Sequence, residues 1–467
     1  MKKTKIIATI GPSTWDNDVL KRMIDLGMNV ARINTSFADY AELEKVSNQI
    51  RSMSKDVAIM LDTKGHKLRI SDFSKSITLR KGKKFSLFTK KVKGKIHLVT
   101  ESDLHLETQI PIDTIVLLDD GLIKLKVKEI RDHELVCEVL QGGVLKKSKT
   151  VNVPGVHIDF PELSKKDYDD ILSAKKLGFD FIAASYIRSV RDLHAIQKLI
   201  EGSNIDIIAK IEETEGVTNF NDILRESDGI MIARGDLGVE IPYEKVPNLQ
   251  KLFIRKCNLF GKPVVVATQM LQSMTVNVFP TRAEVNDVAN AIYDGVDGVM
   301  LSAETSVGEY PIEAVETMAR IAREVENNID PSEDRIPSPL AKPTTNAIAK
   351  SVIESCETLP IDKILVATAT GTTAKTIARF KPRQPIIAFT ASDVAKRKLA
   401  LSRGVFADIL DKSSSTRDTG IQNLVKNAKR KGYISDSDMV IVVAGANILG
   451  QGETNMMEIN RVDHMVE

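Results

Sequence analysis

The chain has 467 residues, 42% of them apolar and 27% charged, with a net charge of +2; at ~100–200 residues per domain, that length holds two to four domains. The balanced charge and an aromatic content of 5% argue against a nucleic-acid binder, and no apolar run approaches the ~18 residues of a membrane span. Three scattered cysteines, Cys137, Cys257 and Cys356, exclude a disulfide framework or a zinc site and point to a reducing, cytoplasmic setting.

The opening MKKTKIIATIGPSTWD has a short apolar stretch and no small-residue cleavage site, so it reads as a strand rather than a signal peptide. That stretch is the first of eight short apolar runs, which are KIIATI (5–10), NVARIN (29–34), VAIMLD (57–62), FDFIAAS (179–185), IDIIAKI (205–211), GIMIAR (229–234), PVVVAT (263–268) and GVMLSA (298–303). Such runs suit strands buried on both faces. Amphipathic stretches such as YDDILSAKKLG and AEVNDVANAIYDG separate most of them, several closing on a Gly that suits a helix C-cap. Alternation of this kind builds a parallel sheet, and eight strand–helix units favour a closed (β/α)8 TIM barrel over an open doubly wound sheet.

Residues 70–155 break the pattern. Short runs separated by the turn signals KGK, DDG and QGG predict an inserted all-β domain. Residues 71–150 carry 16 basic and 11 acidic residues, an excess of +5. The Pro-rich IPSPLAKPTT then marks a linker, and KILVATA, QPIIAFT, VFADIL and DMVIVVAG predict a second, smaller α/β domain. The expected division is a barrel of 1–69 and 156–335, an inserted β-barrel lid of 70–155, and a C-terminal α/β domain of 345–467.

Catalytic groups of a (β/α)8 barrel gather at the C-terminal ends of its strands. Six of the eight runs end in polar residues: Arg32, Asn34 and Ser36; Asp62, Thr63 and Lys64; Lys210 and Glu212; Arg234, Gly235 and Asp236; Thr268 and Gln269; Ser302 and Glu304. Lys210 and Glu212 share a strand face. Glu212 and Asp236 offer the two carboxylates that Mg²⁺ commonly takes, although a plain Lys–carboxylate salt bridge is the competing reading. Arg32, Lys210 and Arg234 bring positive charge suited to phosphate or carboxylate. Fixed cations around a charged transition state are the requirement of phosphoryl transfer. None of the seven histidines joins these clusters, which disfavours a His triad or a zinc hydrolase, and no GxxxxGK[ST] loop is present.

The strings KTKIIATIGPST, MNVARINTS, LDTKG, VNVPG, KIEETEGV, DGIMIARGDLGVEIP, GKPVVVATQMLQSM, PTRAEVNDVANAIYDGVDGVMLSAET and GETNMMEI occur in order. Together they closely resemble the pyruvate kinase family over essentially the whole chain. The resemblance implies a glycolytic phosphotransferase. It would pass a phosphoryl group from phosphoenolpyruvate to ADP, giving pyruvate and ATP, with Mg²⁺ or Mn²⁺ as cofactor. By the same resemblance Lys210 stabilises the moving phosphoryl group and the enolate, and Arg32 contacts the phosphoryl group. Glu212 and Asp236 hold the metal. Gly235, Asp236 and Thr268 bind the substrate carboxylate, and Thr268, Ser302 and Glu304 serve enolate protonation. Asn34, Phe37, Arg69 and Lys166 fall on the nucleotide side. Thr368, Thr370, Gly371, Thr372 and Thr373 resemble a loop for a sugar-phosphate or nucleotide effector, and a homotetramer is implied.

Three departures from the family pattern stand out. Phe37 replaces a nucleotide-side histidine, Ala303 replaces a glycine, and Lys67 stands where many members have glutamate. The family's monovalent-cation pocket matches Asn34, Ser36, Asp62 and Thr63, and members bearing the lysine resemble potassium-independent enzymes, so K⁺ is not expected to be required. Two other classes fit parts of the pattern: a metal-dependent lyase or aldolase with a Schiff base on Lys210, and a non-catalytic paralogue that binds only metabolites or, through its basic insertion, RNA.

Overall fold

The computed structural model describes residues 1–100, 104–329, 336–410, 417–445 and 453–465. Three large sheets organise these residues, with a two-stranded sheet of Ile77–Leu79 and Gly143–Leu145 beside them. Strands β1 (Lys5–Ile10), β2 (Met28–Asn34), β3 (Ala58–Asp62), β4 (Phe181–Ala184), β5 (Asp206–Ile211), β6 (Gly229–Ala233), β7 (Val264–Ala267) and β8 (Gly298–Leu301) close into a barrel. Each pairs in parallel with its chain neighbours, and β1 pairs β8 to complete the ring. The near-continuous apolar runs are explained by this double burial. Ile7, Val30, Met60, Ile208, Met231 and Val265 fill the inside, while Ile6, Ile33, Ile59, Ile207, Ile232 and Val266 face the helical jacket.

Local signals set the helix ends. Asp16 accepts from the N–H groups of Asp18 and Val19 to start the helix Asn17–Asp25, and Thr281 and Glu284 form a capping box. Gly178 and Gly261 end their helices in the left-handed region, at φ +66° and +72°.

The insertion is a seven-stranded antiparallel sheet, with Thr150–Asn152 joining Ile115–Leu118 to Leu68–Ile70. Its two edges meet through Phe88 N–H to the Ile96 carbonyl (3.0 Å), giving a barrel-like closure. The sheet already begins at Leu68, and Ile158 and Phe160 pack into its core, because Leu68 and Ile70 alternate inward about Arg69. The domain is therefore somewhat wider than 70–155. The C-terminal sheet runs β9 (Lys363–Ala367), β10 (Ile386–Thr390), β11 (Val405–Ile409), β12 (Met439–Gly445) and β13 (Thr454–Arg461) in the order β11-β10-β9-β12-β13, with only β13 antiparallel. The expected barrel end at 335 and Gly452 of GETNMMEI lie outside the described residues. Among the described residues no helix is long and apolar enough to cross a membrane.

Candidate active site

All strands of the barrel point one way, so their C-terminal ends meet at one rim. At its centre is Asp62, the last residue of β3. Its Oδ2 accepts from Arg32 Nε at 2.7 Å and its Oδ1 from Lys210 Nζ at 3.0 Å. Arg32 Nη1 also donates to Thr9 Oγ1 at the end of β1 (2.7 Å). Lys210 Nζ lies 3.1 Å from Glu212 Oε1 and donates to Ser185 Oγ at 2.7 Å. Burial would strip Lys210 of its proton, but Asp62 and Glu212 outweigh it and hold its pKa above the ordinary lysine value. An amine held charged is a fixed cation, not the free nucleophile that a Schiff base needs, so the aldolase reading loses its support. Burial likewise opposes the Asp62 anion, yet Arg32 and Lys210 pull its pKa below the usual range.

Asp236 sits in the helix Arg234–Glu240 that follows β6. Its Oδ1 accepts from Lys67 Nζ (2.8 Å) and from the Tyr186 hydroxyl (2.9 Å). Glu212 Oε2 accepts the Tyr186 backbone N–H at 2.7 Å. Glu212 is almost fully buried, and burial, reinforced by Asp236, pushes its pKa up, whereas Lys67 holds Asp236 down against the same desolvation. Even with Lys210 at 3.1 Å, burial beside a second carboxylate leaves the Glu212 anion costly. Two hard oxygen donors suit Mg²⁺, which leaves other positions to water and substrate. Among the described residues no group of three or more Asp, Glu, His or Cys is placed to hold a metal ion.

The Gly235 N–H donates to Thr268 Oγ1 at 2.8 Å, and a Cβ on Gly235 would stand 3.2 Å from that oxygen. Thr268 and Gln269 both have φ in the left-handed region, at +67° and +54°. Backbone strain of this kind gathers at functional turns. Glu304 is fully buried and accepts from Ser302 N–H (2.7 Å) and Leu271 N–H (3.1 Å), so it braces two loops. The Ser302 hydroxyl is buried with no hydrogen-bond partner among the described residues.

One expectation is overturned. Arg234 does not bring its charge to the centre. Its guanidinium is taken up by Asp287 Oδ1 (2.7 Å) and the carbonyls of Thr268 (2.8 Å) and Gln269 (3.1 Å), where the helix that begins at Arg234 aims it. The other expected residues spread out. Asn34 Oδ1 accepts the Ser36 N–H at 3.0 Å, and Thr63 Oγ1 accepts the Ser185 N–H at 2.9 Å. Phe37 is 89% exposed beside them. Lys166 binds Asp170 (3.0 Å) and the Ala38 carbonyl (3.3 Å). Arg69 lies on the insertion and donates to the Ser148 carbonyl at 3.1 Å. Thr368, Thr370, Gly371, Thr372 and Thr373 form a separate turn after β9, where Gly371 N–H donates to Thr368 Oγ1 and the Thr370 and Thr372 hydroxyls bond each other. Thr9, Ser185 and Tyr186 were not expected. They end the two remaining barrel strands, so the strand-end rule applied to all eight would have found them.

Beside Asp236 a cavity of about 380 Å³ opens between barrel and insertion, lined by His66, Lys67, Phe160, Tyr186, Glu213 and Asp236 among others. Burial, with Glu240 adding repulsion, pushes the Glu213 carboxyl up to about 8.

A barrel with fixed cations, paired carboxylates and a flanking cleft defines a phosphotransferase of the barrel class. Comparison with known proteins narrows it. A family profile described as the pyruvate kinase barrel domain matches residues 1–315, and one described as the pyruvate kinase alpha/beta domain matches residues 346–460. Pyruvate kinase from Geobacillus stearothermophilus is 42% identical over 100% of this chain and 81% of its own. That from Clostridium acetobutylicum is 42% identical over 99% of this chain and 100% of its own. The crystal structure of a pyruvate kinase from Cryptosporidium parvum matches with a TM-score of 0.90 at 39% identity, covering 99% of this chain and 96% of that one. The chain belongs to the pyruvate kinase family.

Proposed function

We propose that this enzyme moves the phosphoryl group of phosphoenolpyruvate to ADP at the Asp62-centred rim and then protonates the resulting enolate to pyruvate. The observation that carries the reading is Asp62, which holds Arg32 and Lys210 side by side as permanent cations. These two face the phosphoryl oxygens, and Lys210 stays with the charge as it shifts to the enolate. Cations already aligned by a buried anion need no reorganisation when that charge moves. Glu212 and Asp236 would hold Mg²⁺ or Mn²⁺, which supplies further Lewis-acid stabilisation of the transferred group. The main chain at Gly235 and Asp236, with Thr268, receives the substrate carboxylate. Thr268 and Ser302 lie on the proton side, and Glu304 orients Ser302. Asn34, Phe37, Arg69 and Lys166 serve the nucleotide. A coupled assay with lactate dehydrogenase tests this: NADH is consumed only when phosphoenolpyruvate, ADP and a divalent metal are all present. Pyruvate release without ADP would refute it.

We also read the enzyme as independent of K⁺. Three of the four groups matching the family's monovalent-cation pocket already hold protein donors: Asp62 holds Arg32 and Lys210, Asn34 holds the Ser36 N–H, and Thr63 holds the Ser185 N–H. Lys67 adds a covalent positive charge at the same rim. A cytoplasmic setting suits the three free cysteines. A homotetramer suits the exposed apolar side chains of Tyr243, Val276 and Phe279 on the outside of the barrel. The threonine-rich turn at 368–373 is the place for a sugar-phosphate or nucleotide effector.

A further inference from the structure

Tyr186 is the residue that reaches both carboxylates of the proposed metal pair. It follows β4, whereas Glu212 follows β5 and Asp236 follows β6. Its backbone N–H reaches Glu212 Oε2 at 2.7 Å and its hydroxyl reaches Asp236 Oδ1 at 2.9 Å. We propose that Tyr186 is a positioning residue for the divalent cation, its main chain and its hydroxyl setting the two carboxylates as one pair. The proposal rests on the reading of Glu212 and Asp236 as metal ligands.

Three features indicate that this placement is built rather than incidental. Tyr186 has φ +54°, a conformation an aromatic L-residue adopts only when its surroundings impose it. That turn is what aims the N–H at Glu212 while the ring runs on to Asp236. Opposite the ring is Gly65, where a Cβ would stand 2.5 Å from Tyr186 Cδ2 and 2.9 Å from Ser185 Cβ. Gly65 is itself pinned by its N–H to Asp167 Oδ2 (3.1 Å). On the ring face, Lys67 Nζ stands 5.0 Å from the ring centroid while bonding the same Asp236 oxygen as the hydroxyl.

The hydroxyl and the ammonium do different things at that oxygen. A lysine is a point charge on a flexible stem and fixes orientation poorly. The phenol is held by its ring, so its O–H direction is set. Without it, Lys67 remains and draws Asp236 toward itself rather than into register with Glu212.

Tyr186→Phe removes the hydroxyl and keeps the ring, its contact with Gly65 and its face toward Lys67. The probe is Mn²⁺ alone, titrated without substrates and read by electron paramagnetic resonance of the free ion. Loss of an outer hydrogen-bond partner of a metal ligand is expected to raise the Mn²⁺ Kd by ~10-fold or more. In turnover, the apparent KM for Mg²⁺ should rise while kcat at saturating Mg²⁺ stays within about threefold of the parent, a split that general destabilisation would not produce. Glu212→Gln is the control. Weak Mn²⁺ binding in Glu212→Gln with a Kd for Tyr186→Phe within about twofold of the parent overturns the role of Tyr186 and leaves the metal site standing. Parental binding in Glu212→Gln overturns the site assignment, and the proposal with it.

Discussion

Lys67→Glu puts the potassium reading to its hardest test. Lys67 Nζ lies 2.8 Å from Asp236 Oδ1, with side-chain exposures of 24% and 31%. Two unit charges ~4 Å apart interact by ~4 kcal/mol at an effective dielectric of 20. Reversing the sign at position 67 removes that attraction and adds a repulsion of similar size, so the ceiling is ~8 kcal/mol. Partial exposure and side-chain relaxation leave about 2–4 kcal/mol of unfavourable field at the rim. A substrate carrying several negative charges feels the same deficit. A monovalent cation entering the rim would restore the balance, and the variant is expected to need one. The assay is turnover with Mg²⁺ in tetramethylammonium buffer, with and without about 100 mM KCl at matched ionic strength. The parent should respond less than about tenfold, and Lys67→Glu by more than about tenfold, which corresponds to ~1.4 kcal/mol. Tenfold stimulation of the parent would refute K⁺ independence, and an indifferent variant would show that the charge at 67 is not the determinant.

Lys210→Met should cut kcat by at least ~10³-fold with the fold intact by circular dichroism, since it removes a cation aimed at developing charge; a variant keeping a tenth of parental turnover would refute the assignment. Glu213→Gln tests the buried carboxyl. Its folded value of about 8 lies above the ordinary 4.5, so the parent's stability is fully present below about pH 4.5 and declines as pH rises through about 8. The ceiling is ~5 kcal/mol and about 1–3 kcal/mol is expected after relaxation. Urea unfolding should therefore show Glu213→Gln more stable than the parent at about pH 9 and equal to it below about pH 4.5; an equal offset at both would mean Glu213 does not titrate as argued. Leu401→Ala should cost about 2–4 kcal/mol in the same measurement, because Leu401 is fully buried against the barrel interior; a loss below about 1 kcal/mol would mean the cavity collapses and the contact is loose.

The barrel was legible because strands such as β1 and β5 are buried along their whole length, so apolar residues fill their middles and the few buried polar ones, Lys5, Thr9, Asp206 and Lys210, fall near the strand ends where partners reach them. The strand-end rule also found Arg32, Asp62, Lys210, Glu212 and Asp236, since a parallel barrel sends every strand end to one rim. It failed at Arg234 for a definite reason. Position on a strand end fixes where Cα lies, not whether the side chain turns inward, and the helix begun at Arg234 turns it to Asp287. Applied to the fourth strand as well, the rule would have placed Tyr186 at the rim; what it could not give is the role, which depends on a left-handed backbone turn and on room left by Gly65, two features that carry no local sequence pattern. The edges of the insertion were also hard to read. Leu68 and Ile158 pack with its core, but short strands beside a barrel strand lack a composition break to mark the boundary.

Both ends of the barrel hold buried ion pairs, and their partners separate support from chemistry. At the base, Asp180, just before β4, takes Arg397 Nε (2.7 Å), Arg51 Nη2 (2.6 Å) and the Ile59 N–H (2.8 Å). Asp297, just before β8, takes Lys381 Nζ (2.9 Å) together with the N–H groups of Arg403 (3.1 Å) and Val264 (3.1 Å). Asp206, opening β5, pairs with Lys398. Lys381, Arg397, Lys398 and Arg403 all come from the C-terminal domain, and Leu401 between them closes the barrel floor. Asp180 and Asp297 are thus tied by both side-chain cations and backbone donors, which locks the C-terminal domain to the strand starts. At the rim, the donors to Asp236 are the side chains of Lys67 and Tyr186, and Lys210 shares its charge among Asp62, Glu212 and Ser185. Flexible lysine ammoniums are partners that a charged ligand displaces or recruits, whereas backbone donors are not. Removing Asp180 or Asp297 should therefore lower stability, and removing Asp236, whose donors are side chains alone, should act first on ligand binding; Glu212 stands between the two, since it also holds the Tyr186 backbone N–H.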